Sequence, residues 1–245
     1  MSDPGTPPAL EVYLLGLVDF DEMQALQRRI VYDLGERDGA ALVLCEHPPT
    51  ISVGRSGSRM HIRPDDDALQ AMEIPIRWVN RGGGCTLHLP GQVVGYFALP
   101  LDRMGLTLQG HLDGLVRMLT VVLREFGLPA TNPDDSSGVF LGNARVATVG
   151  VAVNRWIAYH GFTLNVGPFL EPFRVLLDEP APGGRSLRQT SMEAWRQRPT
   201  PPSQVRESLI RGVEREFGLE RRHLFTRHPS LRRKVRTHVH AESRG

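Results

Sequence analysis

A chain of 245 residues with 40% hydrophobic side chains is long enough for one large core or two small ones. Its 25 glycines and 19 prolines imply many turns and a strand-rich fold. The charge is uneven: residues 221–245 hold seven Arg and Lys234 against Glu242, a net of +7 where the whole chain is +2, so the body is mildly acidic and the C-terminus basic. Lys234 is the only lysine, which leaves none in a glycine-rich loop for ATP phosphates and none in the body for a Schiff base. Met1–Leu10 has no basic start or apolar run, the apolar stretch near Val93–Leu101 is too short for a membrane span, and Cys45 and Cys85 make no metal or redox spacing. The expectation is a cytosolic protein with no membrane contact, no metal and no cofactor.

Taken in order, Glu11–Val18 reads as a strand and Asp19–Gly35 as a helix, with Asp19 or Asp21 as cap and Met23, Leu26 and Ile30 at helical spacing. Ala41–Glu46 is a buried strand that His47-Pro48-Pro49 must break, and Ile51–Gly54 is extended. Ile76–Asn80 runs as a strand into Arg81-Gly82-Gly83-Gly84, with strands at Thr86–His88 and Val93–Leu99 beyond. Leu108, Leu112, Leu115, Leu119, Val122 and Phe126 mark an amphipathic helix that Gly127 and Pro129 end. Strands follow at Gly138–Leu141, Arg145–Val153 and Trp156–Val166, with tight turns at Gly142-Asn143 and Asn154-Arg155. Pro180–Gly184 is a loop, and Ser203 caps a last helix carrying Val205, Leu209, Val213 and Phe217. The order implies an α+β domain over residues 1–220, with a mainly antiparallel mixed sheet and flanking helices, followed by a flexible basic tail over residues 221–245.

Three consecutive glycines between strands are entropically costly, so they mark a close backbone approach, a ligand, or a turn that needs positive φ. Arg81 and His88 flank them as candidates to hold a polar head group. Tyr159-His160-Gly161-Phe162-Thr163-Leu164-Asn165 repeats the pairing of His and Gly on a strand, and together the two segments predict a pocket.

From Leu44 to Met192 the chain resembles the octanoyltransferases, members of the lipoate and biotin attachment fold. His47-Pro48-Pro49 with Gly54-Arg55 matches the family's HPP…GR. Arg81-Gly82-Gly83-Gly84-Cys85-Thr86-Leu87-His88 matches RGGxxTxH. Pro90-Gly91-Gln92 completes GPGQ, with Leu89 where glycine is usual. Gly138-Val139 fits a GVW-like strand, and Tyr159-His160-Gly161 with Leu164-Asn165 matches YHGxxLN. The resemblance implies transfer of an octanoyl group from acyl carrier protein to a lipoyl domain. It also implies substrate binding by residues 81–88, by Thr148, Val149 and Gly150, and by Gly161, Phe162 and Thr163. The expected site is an apolar slot between backbone segments, whose burial of a medium acyl tail contributes about 0.8 kcal/mol per CH₂.

The family's reactive pair is a cysteine and a lysine. Arg145-Val146-Ala147-Thr148-Val149-Gly150 places arginine at the lysine position, and counting from Leu164-Asn165 places Glu179 at the cysteine position. The opposite charges predict an Arg145–Glu179 ion pair. Cys85 is the one alternative nucleophile within the resembling segments, while Cys45 reads as core. The basic tail suits an acidic partner such as a carrier protein or lipoyl domain; its few aromatics argue against nucleic acid. Three functions remain: an acyltransferase with an altered nucleophile or direct transfer, a non-catalytic acyl-binding or regulatory protein, and, last for want of a body lysine, an ATP-dependent lipoate ligase.

Overall fold

The computed structural model describes residues 9–133, 138–178 and 187–231. Strand β1 (Leu10–Leu17) leads into α1 (Phe20–Glu36), where the Asp19 carboxylate accepts from the Asp21 and Glu22 amides at 2.9 and 3.1 Å and so caps the first turn. β2 (Ala40–Glu46) ends before the two prolines, and β3 (Thr50–Val53) begins after them. A single 3-10 turn at Arg59–His61 and a short α2 (Asp66–Ala71) precede β4 (Ile76–Trp78), β5 (Cys85–His88) and β6 (Gln92–Pro100). α3 (Leu108–Glu125) is capped by the Thr107 hydroxyl on the Gly110 amide. β7 (Ala130–Thr131), β8 (Gly138–Leu141), β9 (Ala144–Asn154) and β10 (Ile157–Asn165) follow. The chain continues through α4 (Glu171–Leu176), β11 (Arg188–Gln189), α5 (Met192–Arg196), α6 (Pro202–Phe217) and β12 (Arg222–Phe225).

Among the described residues nine strands form one mixed sheet in the order β12-β1-β2-β6-β10-β9-β8-β7, with β11 beside β9. β1 is parallel to β2 and to β12, and the centre from β2 to β8 is antiparallel. A second sheet, β4-β3-β5, stands apart. The large sheet carries a core on each face. Leu115, Leu119 and Val122 of α3 and Leu209 and Val213 of α6 pack on Val149, Val151, Phe162 and Leu164. Met23, Leu26 and Ile30 of α1 pack on Tyr13, Val43, Val94 and Tyr96 on the opposite face. A third cluster joins the small sheet to α4 through Ile51, Val53, Leu87 and Phe173. No helix among the described residues is long and apolar enough to cross a membrane.

Three sequence expectations change. The folded body extends past residue 220: β12 adds a parallel strand to β1, and the Phe225 ring stacks on Tyr13 at 5.0 Å. A partner more than 200 residues away in the chain leaves no local trace of such a strand. The β9–β10 turn falls one residue later than Asn154-Arg155, because Arg155 (φ 48) and Trp156 (φ 62) take the two left-handed positions that a tight hairpin of this hand requires. Ser203 does not cap α6; Pro202 opens the helix, its fixed φ suiting a first-turn position whose amide has no helical partner.

Candidate functional site

The turn between β4 and β5 is built around Arg81, whose side chain folds back beneath it. Nη2 donates to the Ser52 carbonyl (3.1 Å), Ser52 Oγ (2.9 Å), the Gly84 carbonyl (3.1 Å) and Thr86 Oγ1 (2.9 Å), and Nη1 donates to the Gly82 carbonyl (2.9 Å). The guanidinium is thus a clamp that holds the loop, rather than a hand extended to a head group. Residues 54–56 nest against it: the Gly54, Arg55 and Ser56 amides donate to the Gly84, Arg81 and Gly83 carbonyls at 3.0–3.1 Å. A side chain on Gly54 would collide with the Gly83 oxygen and approach Arg81 Nη1 to 2.8 Å. This explains why the Gly54-Arg55 segment and the glycine turn occur together.

The turn then docks on the large sheet. The Gly82 amide donates to the Val151 carbonyl at 2.8 Å, and a Cβ on Gly150 would stand 2.8 Å from the Gly82 oxygen. Gly150 pairs directly with Gly161 across β9 and β10, and a Cβ on Gly161 would run into the Gly95 carbonyl of β6. Two neighbouring strands, β9 and β10, therefore present bare backbone beneath the turn. The Gly83 and Gly84 amides are the turn's N–H groups without a partner among the described residues.

Strand parity sorts the remaining expected site residues. On β5, Thr86 and His88 face the cavity, whereas Cys85 and Leu87 point into the core shared with Val53 and Phe173. Cys85 is 1% exposed and its thiol donates to the Ser58 carbonyl at 3.5 Å. The reading of Cys85 as nucleophile is therefore corrected: the sulfur lies on the wrong face of its strand. On β9, Thr148 and Gly150 line the cavity and Val149 faces α3, so Val149 and Leu87 serve packing. On β10, Gly161, Phe162 and Thr163 line it. Phe162 also spreads its ring where a Gly95 side chain would be. Gly82, Gly83 and Gly84 stand beside the cavity without lining it.

Residues outside the expected substrate-binding set join His88 to complete the site. His160 has φ 63, which swings its ring from the α3 side to the α1 side of the sheet. There its amide donates to Gln27 Oε1 (2.8 Å), its Nδ1 accepts from Gln27 Nε2 (3.4 Å) and its Nε2 donates to Asn80 Oδ1 (3.2 Å). His47 Nδ1 donates to the Val18 carbonyl at 2.7 Å, so Nε2 accepts from the Tyr96 hydroxyl at 2.8 Å. Ser52 Oγ lies 2.9 Å from His88 Nε2, while His88 Nδ1 is buried without a partner among the described residues.

All three imidazoles are held neutral. Burial lowers His47; burial, then the neighbouring His47, Arg81 and His160, lower His88 well below its ordinary value; burial, then Arg81, brings His160 to about 3. The space they enclose has a volume of about 30 Å³, the share of one water molecule. The expected apolar slot is therefore narrow and walled by imidazoles, hydroxyls and backbone, and a fatty chain must part its walls to enter.

Arg145 lies on the same side as Thr148, its stem 3.0 Å from the position of a Gly138 Cβ. With the Gln189 amide turned to satisfy both partners, Gln189 Oε1 accepts from Arg145 Nε (3.2 Å) and Nη2 (2.8 Å). Glu179, and with it the expected Arg145–Glu179 ion pair and the Pro180–Gly184 loop, falls outside the described residues.

Comparison with known proteins places this geometry. Residues 19–214 match the family described as "Lipoyl protein ligase A/B catalytic domain". An octanoyltransferase of Syntrophobacter fumaroxidans is 35% identical over 207 residues, covering 83% of this chain and 88% of that protein. One from Geotalea uraniireducens is 38% identical over 160 residues, 65% of this chain and 72% of that protein. Among solved structures, the bipartite lipoate protein ligase of Thermoplasma acidophilum superposes with a TM-score of 0.72 at 17% identity, over 91% of this chain and 89% of that one. A lipoate-protein ligase A bound with ATP gives 0.70 at 18%, over 91% and 88%. At these identities the structures show the fold alone.

Proposed function

This chain belongs to the lipoyl protein ligase A/B catalytic-domain family, among the octanoyltransferases of protein lipoylation, and from that membership we propose that it moves a medium-chain acyl group from acyl carrier protein to a lipoyl domain. The observation that carries this reading is the glycine turn seated on the bare backbone of Gly150 and Gly161, where the Gly82 amide meets the Val151 carbonyl. Once its walls part, that seam admits a flat aliphatic chain, and no side chain of β9 or β10 stands in its way at those two positions. The Gly83 and Gly84 amides are the groups suited to a thioester oxygen, and they become more valuable as negative charge develops on it. The net charge of +7 over residues 221–245 supports an acidic partner, as carrier proteins and lipoyl domains are.

No cysteine follows Cys85 in the sequence, and Cys85 faces a core, so the proposed transfer is direct. The amine of the acceptor lysine attacks the thioester carbonyl, the C–N bond forms as the C–S bond breaks, and the amine proton leaves with the thiol. The Arg145 guanidinium is a source of positive charge for the developing thiolate and not a base. Losing a covalent nucleophile costs on the order of 10³-fold in rate, so turnover is slow.

The test is intact-mass analysis of octanoyl-carrier protein, a lipoyl domain and this protein incubated together. Direct transfer predicts an octanoylated lipoyl domain and no acyl adduct on this protein. An adduct would replace direct transfer with a covalent route, and no product would remove the transferase reading. The paired change Arg145→Lys with Glu179→Cys restores the family's reactive pair and is expected to introduce the adduct and raise the rate.

A further inference from the structure

The cavity beside the glycine turn shares a wall with a much larger space. A groove of about 760 Å³ runs along α1, between β4 and the β9–β10 turn, and is flanked by Trp78, Tyr32, Val31, Ile157 and Tyr159. Phe20, Gln24 and Val79 line both the groove and the inner cavity. Phe20 is the first residue of α1, and Gln24 sits one turn later on the same face. The Phe20 ring is buried 5.2 Å from the rings of both His47 and His88, and the Gln24 amide reaches the Tyr96 hydroxyl at 3.5 Å.

The strand register gives the cavity a direction. Thr148 faces Thr163, Gly150 faces Gly161 and Ala152 faces Tyr159, so the line of backbone contact runs from the Arg145 end of β9 toward α1 and the groove. A carrier-bound acyl group with its carbonyl at the Gly83 and Gly84 amides and its sulfur toward the cationic end directs its methyl end to Phe20 and Gln24.

Resting on the acyl-site reading above, we propose that Phe20 and Gln24 form the end wall of the acyl site and set its chain-length limit. A longer chain must displace a ring packed against two imidazoles or an amide held by a tyrosine. The space behind that wall is already open, so trimming either side chain joins cavity to groove without excavating the core. Each further methylene buried there is worth about fourfold in affinity.

The experiment measures binding of octanoate and dodecanoate to the full chain by calorimetry, for wild type, Phe20→Ala and Gln24→Ala. Wild type is expected to prefer octanoate by tenfold or more. In the variants the dodecanoate-to-octanoate affinity ratio is expected to rise at least tenfold. Gln24 is half-buried, so Gln24→Ala gives the ratio even where Phe20→Ala destabilises the fold. A wild type that binds dodecanoate as tightly as octanoate overturns the wall, as do variants that keep the wild-type ratio. A wild type that binds neither acid removes the acyl site itself, which separates that failure from a failure of the wall alone.

Discussion

On the α3 and α6 face of the large sheet, Val149 and Val151 of β9 and Phe162 and Leu164 of β10 alternate inward and meet Leu119, Val122 and Leu209. On the other face, the same two strands offer Thr148, Gly150, Gly161 and Thr163, and the space is filled by Arg81, His88, His160 and Tyr96. One face is closed by apolar side chains that obey strand parity. The other lacks such side chains at these positions and is filled by polar groups, most of them bonded to one another. The first gives stability that any well-packed core gives; the second gives a shape that only particular residues allow. His160 belongs to both by position and to one by conformation, because its left-handed φ carries a core-facing residue across the sheet.

Substitution at Gly161 is the most severe way to break this contrast. Gly161→Val puts a branched side chain against the Gly95 carbonyl at φ 152 and is expected to cost more than 4 kcal/mol, or to prevent folding, in a denaturant titration. Leu119→Ala on the dry face is expected to cost about 2–5 kcal/mol while leaving octanoate affinity unchanged in the surviving folded protein. Arg81→Met removes the guanidinium's hydrogen bonds to the Ser52, Gly82 and Gly84 carbonyls and is expected to cost about 3 kcal/mol, with loss of octanoate binding, since the turn loses its clamp.

Acid separates the two faces further. His111 sits on the dry face with both ring nitrogens lacking partners among the described residues, stacked on Phe97 at 5.6 Å, and burial brings it to about 4. His160 on the polar face lies at about 3. Both folded values are below the ordinary histidine range, so the unfolded chain takes up protons first. Stability is intact above about pH 6.5 and falls by on the order of 1 kcal/mol per pH unit per histidine as the pH drops toward 4. His111→Phe removes one of these protons and loses no hydrogen bond to a described group; it is expected to flatten the acid limb of a stability-versus-pH curve at little cost at pH 7. The smallest expected effect is a gain. Arg155→Asn with Trp156→Gly fits the two left-handed turn positions and is expected to raise stability by about 1 kcal/mol in thermal unfolding.

The dry face was the more legible in sequence. Leu115, Leu119 and Val122 announce α3 by spacing alone, and Ala41–Glu46 reads as a buried strand because nothing in it is polar before the end. On the polar face, the glycines and the resembling motifs marked the right neighbourhood but not the contents of the cavity. Phe20 and Gln24 of α1, Ser52 of β3 and Tyr96 of β6 come from three separate elements and meet only in the fold, so no local pattern links the three. The rotation of His160 depends on a backbone angle that histidine seldom adopts, and β12 depends on a partner at the other end of the chain. The facing of Cys85 is legible in the sequence: alternation along Cys85-Thr86-Leu87-His88 puts the cysteine and leucine on one side and the threonine and histidine on the other.

Where a fatty chain lies is read directly by a crystal structure of the full chain with octanoate. The seam between the glycine turn and the Gly150–Gly161 pair is expected to widen and hold the chain lengthwise, methyl end toward α1. Octanoate bound elsewhere, with the turn still closed on Val151, would contradict it.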